Sequence, residues 1–181
     1  MATTSDLLLD TLSRVREHVH DVLDSTPEHR LAEPPAPGAN PVAWLVWHLT
    51  RGLDDQVARA LGHDTAWEAD GWRERMELPV PAEASGYGMS FDEVLRVRAS
   101  AEHLRAYFDA AHARATAALR SLTDADLDRV VDERWDPPVT LAVRLVSVLD
   151  DCTQHAGQAA YASGILSRTS PANPADSTSR S

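Results

Sequence analysis

The stretch DDCTQHAGQAAY, residues 150–161, places an acid, a thiol and an imidazole within about one helical turn. Asp151 and His155 are four residues apart, a spacing that puts two helical side chains on one face with Cβ atoms about 5–6 Å apart. Leu141, Leu145, Val148, Leu149, Cys152, Ala156 and Ala159 recur around them at helical period and mark a buried stripe. His155 falls at the edge of that stripe, with Asp151 slightly further round. A second histidine, His48, sits at the margin of another stripe, near Leu45 and Gly52. If the two helices pack, His48, Asp151 and His155 converge from facing helices, as in metal sites built inside helical bundles. Two imidazoles and one carboxylate suit a divalent metal, zinc first, with nickel, iron and manganese compatible. Three protein ligands leave a position for water, a thiolate or a substrate oxygen. A metal there lowers the pKa of what it binds and polarises carbonyls.

Blander readings stand beside this one. Cys152, three residues from His155, is a rival ligand ranked below Asp151, and its central place in the stripe reads as a small buried hydrophobe. The whole cluster could be structural and hold no metal. His18, His20, His29, His63, His103 and His112 lie on other segments and read as surface or structural. Arg51, Asp54 and Asp55 read as a solvated rim. Trp44 and Trp47 flank His48 and read as packing, with Trp47 placed to line the mouth of a site. There is no GxGxxG, P-loop or GxSxG motif. All 17 basic residues are arginine, which removes Schiff-base lysine chemistry.

The elements that must position these residues are helices. Leu8, Leu12, Val15, Val19 and Val22 predict a first helix over about 5–24. The proline-rich STPEHRLAEPPAPGANP ends it. Asn40 as N-cap, Pro41 as first helical residue and Gly62 as stop frame a second helix with Val42, Leu45, Val46, Leu49, Leu53 and Val57 inward. Residues 63–89 carry Trp67, Trp72 and Met76 among prolines and glycines without a period, and predict a long loop, either a lid or a segment pinned by its own tryptophans. Ser90–Glu93 is a capping box that predicts a third helix running to about 121. TDADLDRVVDERWDPP reads as a linker with one short turn. Thr140 caps a fourth helix, 141–166. The expected fold is all-α, an up-and-down four-helix bundle forming one domain over 1–166, followed by a polar, disordered tail over 167–181.

Composition narrows the partners. A net charge of −11 and no basic patch argue against nucleic acid. No apolar run approaches the roughly 20 residues of a membrane span. One cysteine allows no intrachain disulfide, and the N-terminus lacks the pattern of a signal peptide, so a cytoplasmic protein is expected.

PVAWLVWHLTRGLDDQV, AWEADGWRERMELP, SGYGMSFDEV and LVSVLDDCTQHAGQAAYASGIL together resemble the DinB-like superfamily, and more closely its branch related to the mycothiol-dependent maleylpyruvate isomerases. The resemblance covers about 5–166. It implies a four-helix bundle, often dimeric, with a divalent metal held by His48, Asp151 and His155. Many members carry histidine at the position of Asp151, whereas the isomerase branch carries a carboxylate. Relatives often place an arginine at Ala162 or Ser163, which this chain lacks. The implied activity is transfer of a low-molecular-weight thiol, mycothiol or similar, to a small electrophile, or isomerisation of that electrophile. A non-catalytic metal-binding bundle with a stress or regulatory role is the alternative.

Overall fold

The computed structural model describes residues 2–169. The expected tail therefore lies outside the described residues from 170 on, while 167 and 168 belong to the last helix and Thr169 is its C-cap. The protein is mostly helical. α1 spans Thr4–Ser25, α2 Val42–Leu61, α3 Ala66–Ala69, α4 Trp72–Arg75, α5 Phe91–Val94, α6 Ala101–Arg120 and α7 Leu141–Arg168. α1 packs on α6 and α7, and α2 packs on the same two helices, most extensively on α7. The core between them is built from Leu12, Val15 and Val19 of α1, Leu49 and Leu53 of α2, Leu104 and Phe108 of α6, and Leu145 and Cys152 of α7. No described helix is long and apolar enough to cross a membrane.

Four boundaries differ from the sequence expectation. Pro41 itself is the N-cap of α2, so Asn40 lies outside the helix. The capping box at Ser90 serves only the single turn α5, because Ser100 caps a new helix, its side chain accepting from the His103 amide at 3.1 Å. Two start signals ten residues apart break what periodicity reads as one helix. The loop 63–89 contains α3 and α4 as single turns. The linker before α7 holds a 3-10 turn, Asp124–Asp128, and then β1, Val130–Asp132, paired antiparallel with β2, Val139–Thr140. Asp132 is 8% exposed, and it holds Arg134 and Arg144 at 2.8 and 2.9 Å, which ties this small sheet to α7.

Gly62 stops α2 in the left-handed conformation at φ +73°, as glycine in this position allows. What the periodicity of α2 does not reveal is how completely the helix is covered. Val42 to Trp47 are all buried, and so are Thr50, Arg51, Asp54 and Ala58. The chain from Thr65 to Gly86 folds back over the face that α6 and α7 leave open. The Asp54 carboxylate accepts the amides of Ala66 and Trp67, both at 2.8 Å, and the Tyr107 hydroxyl at 3.0 Å. Trp67 and Trp72 are buried against Tyr107. Arg51 and Asp54 are thus anchors for the loop; only Asp55 keeps a rim position, paired with Arg59 at 3.0 Å.

Candidate metal centre

α2 and α7 bring His48, Asp151 and His155 together, with one ligand atom from each lying within 4.8 Å of the others. The two imidazole rings are 4.7 Å apart and inclined at 75°. His155 Nε2 is 3.5 Å from Asp151 Oδ1, the contact that the four-residue spacing predicts. Gly52, one turn beyond His48, faces the acid: a Cβ there would stand in ordinary contact, 3.4 Å from Asp151 Oδ2.

Each imidazole is oriented by a hydrogen bond at its other nitrogen. His48 Nδ1 lies 2.5 Å from the Ser85 carbonyl oxygen, which can only accept, so Nδ1 carries the proton and Nε2 keeps its lone pair. His155 Nδ1 lies 3.0 Å from Gln158 Oε1, an acceptor that orients the ring with Nε2 toward Asp151. Metal-ligating histidines are oriented in this way, by an acceptor on the nitrogen that does not bind the ion. Trp44 stacks on His48 at 4.6 Å and 19° and meets His155 at 6.3 Å and 88°.

The electrostatics follow from the neighbours. Burial, partly countered by the Ser85 carbonyl, lowers the His48 pKa and keeps that ring neutral. His155 and Asp151 act on one another in opposite senses: the carboxylate raises the imidazole's pKa, and the imidazole lowers the carboxyl's. His155 keeps 17% of its side-chain surface exposed and Asp151 49%, so the cluster opens to solvent on the Asp151 side. Once His155 gives up its proton, two imidazole nitrogens and one ionised carboxylate make the donor set of an open zinc-type site.

The reading of Cys152 as a small buried hydrophobe holds, and one expectation, for Trp47, needs correction. Cys152 is fully buried on the core side of α7, its Sγ facing the Leu49 carbonyl at 3.7 Å, and burial pushes its thiol pKa well above the usual range. It takes no part in the cluster. Cys152→Ser is therefore expected to leave metal content unchanged, and the native thiol should not react with Ellman's reagent until the protein unfolds; fast reaction of the folded protein would contradict this placement. Trp47 does not line a mouth: it is fully buried against Trp67, and Trp44 is the tryptophan that borders the cluster. His20 pairs with Asp109 at 2.9 Å, a structural contact away from the cluster. Sequence reasoning missed Ser85, Gly86 and Gln158; the glycines of SGYG and the three-residue step from His155 to Gln158 were the available signals. A hollow of about 490 Å³ between α2 and α6, floored by Leu53, Val57, Ala111 and Ala115, includes none of the three candidate ligands.

A family model for the DinB superfamily matches residues 8–159. The chain belongs to the DinB superfamily. A solved structure described as a conserved protein from Enterococcus faecalis is similar to this DinB-superfamily protein, with a TM-score of 0.87 and 30% identity, over 93% of this chain and 100% of the other. No curated protein matches the chain. Ala162 and Ser163 are buried, and the Ser163 hydroxyl lies 2.8 Å from that of Thr26.

Proposed function

We propose that this DinB-superfamily protein is a divalent-metal-dependent enzyme that transfers a low-molecular-weight thiol, mycothiol or a similar molecule, to a small electrophile. The observation that carries the reading is the convergence of His48, Asp151 and His155 with both Nδ1 atoms already occupied. His48 Nε2, His155 Nε2 and an Asp151 oxygen would hold the ion, zinc first. Bound there, a divalent ion supplies Lewis acidity that keeps a coordinated thiol ionised near neutral pH. Asp151 cancels only part of the ion's charge, which leaves the site attractive to an anionic sulfur. Trp44 covers one face of His48 and limits water to the Asp151 side. Cys152 is not the nucleophile. On the same reading the four long helices are a DinB-like four-helix bundle, a single domain over 1–166, working in the cytoplasm as a homodimer.

The test is elemental analysis of protein purified without a histidine tag, followed by cobalt substitution and addition of thiols. Near-stoichiometric metal and a thiolate-to-cobalt absorption band are expected. Metal without any thiol response would favour the non-catalytic metal-binding bundle. No metal after reconstitution with zinc, nickel or manganese would make the cluster structural.

A further inference from the structure

The segment 82–86 is fastened to the rest of the protein through its backbone carbonyls. Trp67 Nε1 donates to Ala82 at 2.8 Å, Arg51 Nε to Ala84 at 3.0 Å, and His48 Nδ1 to Ser85 at 2.5 Å. His48 and Arg51 are three residues apart on α2, so they project from one face and grip consecutive carbonyls. Gly86 completes the seat. It adopts φ +99°, and a Cβ there would stand 2.4 Å from His48 Nδ1 and 3.2 Å from Trp44 Cζ2. Only glycine lets the segment lie against the imidazole.

Arg51 is the unexplained member of this set. It is 3% exposed, a costly place for a guanidinium. It lies over the Trp67 ring, 4.8 Å from its centre, with Nη1 3.5 Å from the Tyr107 hydroxyl. It belongs to neither the metal cluster nor a surface ion pair. Its polar reach toward the cluster runs through one bond, to the Ala84 carbonyl.

We propose that Arg51 is a positioning residue for the metal centre. By holding Ala84 it seats the Ser85 carbonyl, and that carbonyl fixes the His48 ring with Nε2 left for the ion. The proposal rests on the metal-binding reading above. The coupling is reciprocal: an ion on Nε2 makes Nδ1–H a stronger donor, so occupancy locks the segment that orients its own ligand. Outer-shell partners of this kind set metal affinity by about 10- to 100-fold.

The experiment compares native protein, Arg51→Gln and Arg51→Lys. Cobalt(II) affinity is measured by competition with a chromogenic chelator. Chymotrypsin cleavage after Tyr87, which is 93% exposed, is followed by mass spectrometry with and without the ion. Arg51→Gln is expected to weaken cobalt binding by about 10-fold or more, and Arg51→Lys to recover part of it. The ion should slow cleavage after Tyr87 in the native protein and lose that effect in Arg51→Gln. A folded Arg51→Gln with native cobalt affinity, or native cleavage indifferent to the ion, overturns the proposal. If Arg51→Gln fails to fold, Gly86→Ala displaces the segment from His48 directly, and native affinity in that variant has the same consequence. A native protein that binds no cobalt overturns the metal reading together with this one; binding in the native protein but equally in the variants overturns this one alone.

Discussion

Asp54→Ala is expected to destabilise the protein by about 4 kcal/mol, because it strands three donors that nothing else can satisfy. The amides of Ala66 and Trp67 and the hydroxyl of Tyr107 all end on this one carboxylate, which is 4% exposed. Burial, and then the charge of Asp54, push the Tyr107 phenol well above its usual pKa, so the phenol remains a donor and cannot compensate. The melting temperature should fall by roughly 10 °C for a chain of this size. The damage should be directional. Asp54 fastens the start of the loop, so the near-ultraviolet signal of the tryptophans should change even below the unfolding transition, while far-ultraviolet helicity is largely kept. Asp54→Asn keeps one accepting oxygen but turns an NH₂ toward a buried N–H, and should fall between native and Asp54→Ala. A loss under about 1 kcal/mol for Asp54→Ala would mean that the loop does not depend on this anchor.

The reach of the sequence can be judged on α2. Its inward stripe was legible, since Leu45, Leu49 and Leu53 recur at helical period and all are buried. Gly62 as its stop and Thr140 as the cap of α7 were legible for the same reason: each solves a local backbone problem with a local residue. The burial of Arg51 and Asp54 was not. Periodicity distinguishes a core face from a solvent face, and here the face opposite the helices is covered by a loop folding back from residues 65–86. Charged side chains under such a loop look like any solvated rim until their partners are known, and three of those partners, the Ala66 and Trp67 amides and the Ala84 carbonyl, are main-chain groups.

The site divides along the same line. The Asp151–His155 spacing is short-range, so one helix fixes it. His48 could be proposed as the third member because stripe margins on packed helices meet. Ser85 could not, because a carbonyl oxygen is present at every residue and leaves no mark in the sequence. Only Gly86 marks the place, through a conformation and a clearance that any side chain would violate.

His155→Ala is expected to abolish metal binding, with the ion falling from near-stoichiometric to background in elemental analysis, and His48→Ala to do the same. Each removes one of two nitrogen donors and leaves a pair too weak to hold the ion at ordinary concentrations. The native protein should gain about 2.7 kcal/mol of stability at a free metal concentration 100 times the dissociation constant, and the two variants nothing. Asp151→His replaces the carboxylate with a third imidazole, a nitrogen donor that also suits a divalent ion, and should retain metal. Acid gives an independent check on the same atoms. Without metal, the raised pKa of His155 stabilises the fold below its unfolded value and this contribution is lost as pH rises through the folded value. The lowered pKa of His48 acts in the opposite sense, destabilising as pH falls, so the two oppose one another in the empty protein. With metal bound, both rings must be neutral, and protons compete with the ion at both. Metal-dependent stabilisation, the difference between metal-bound and metal-free protein, should therefore shrink steadily as pH falls from 8 through the histidine range of about 6.5. Unchanged metal content in both alanine variants would remove His48, Asp151 and His155 as the binding set, whatever the native protein was found to carry.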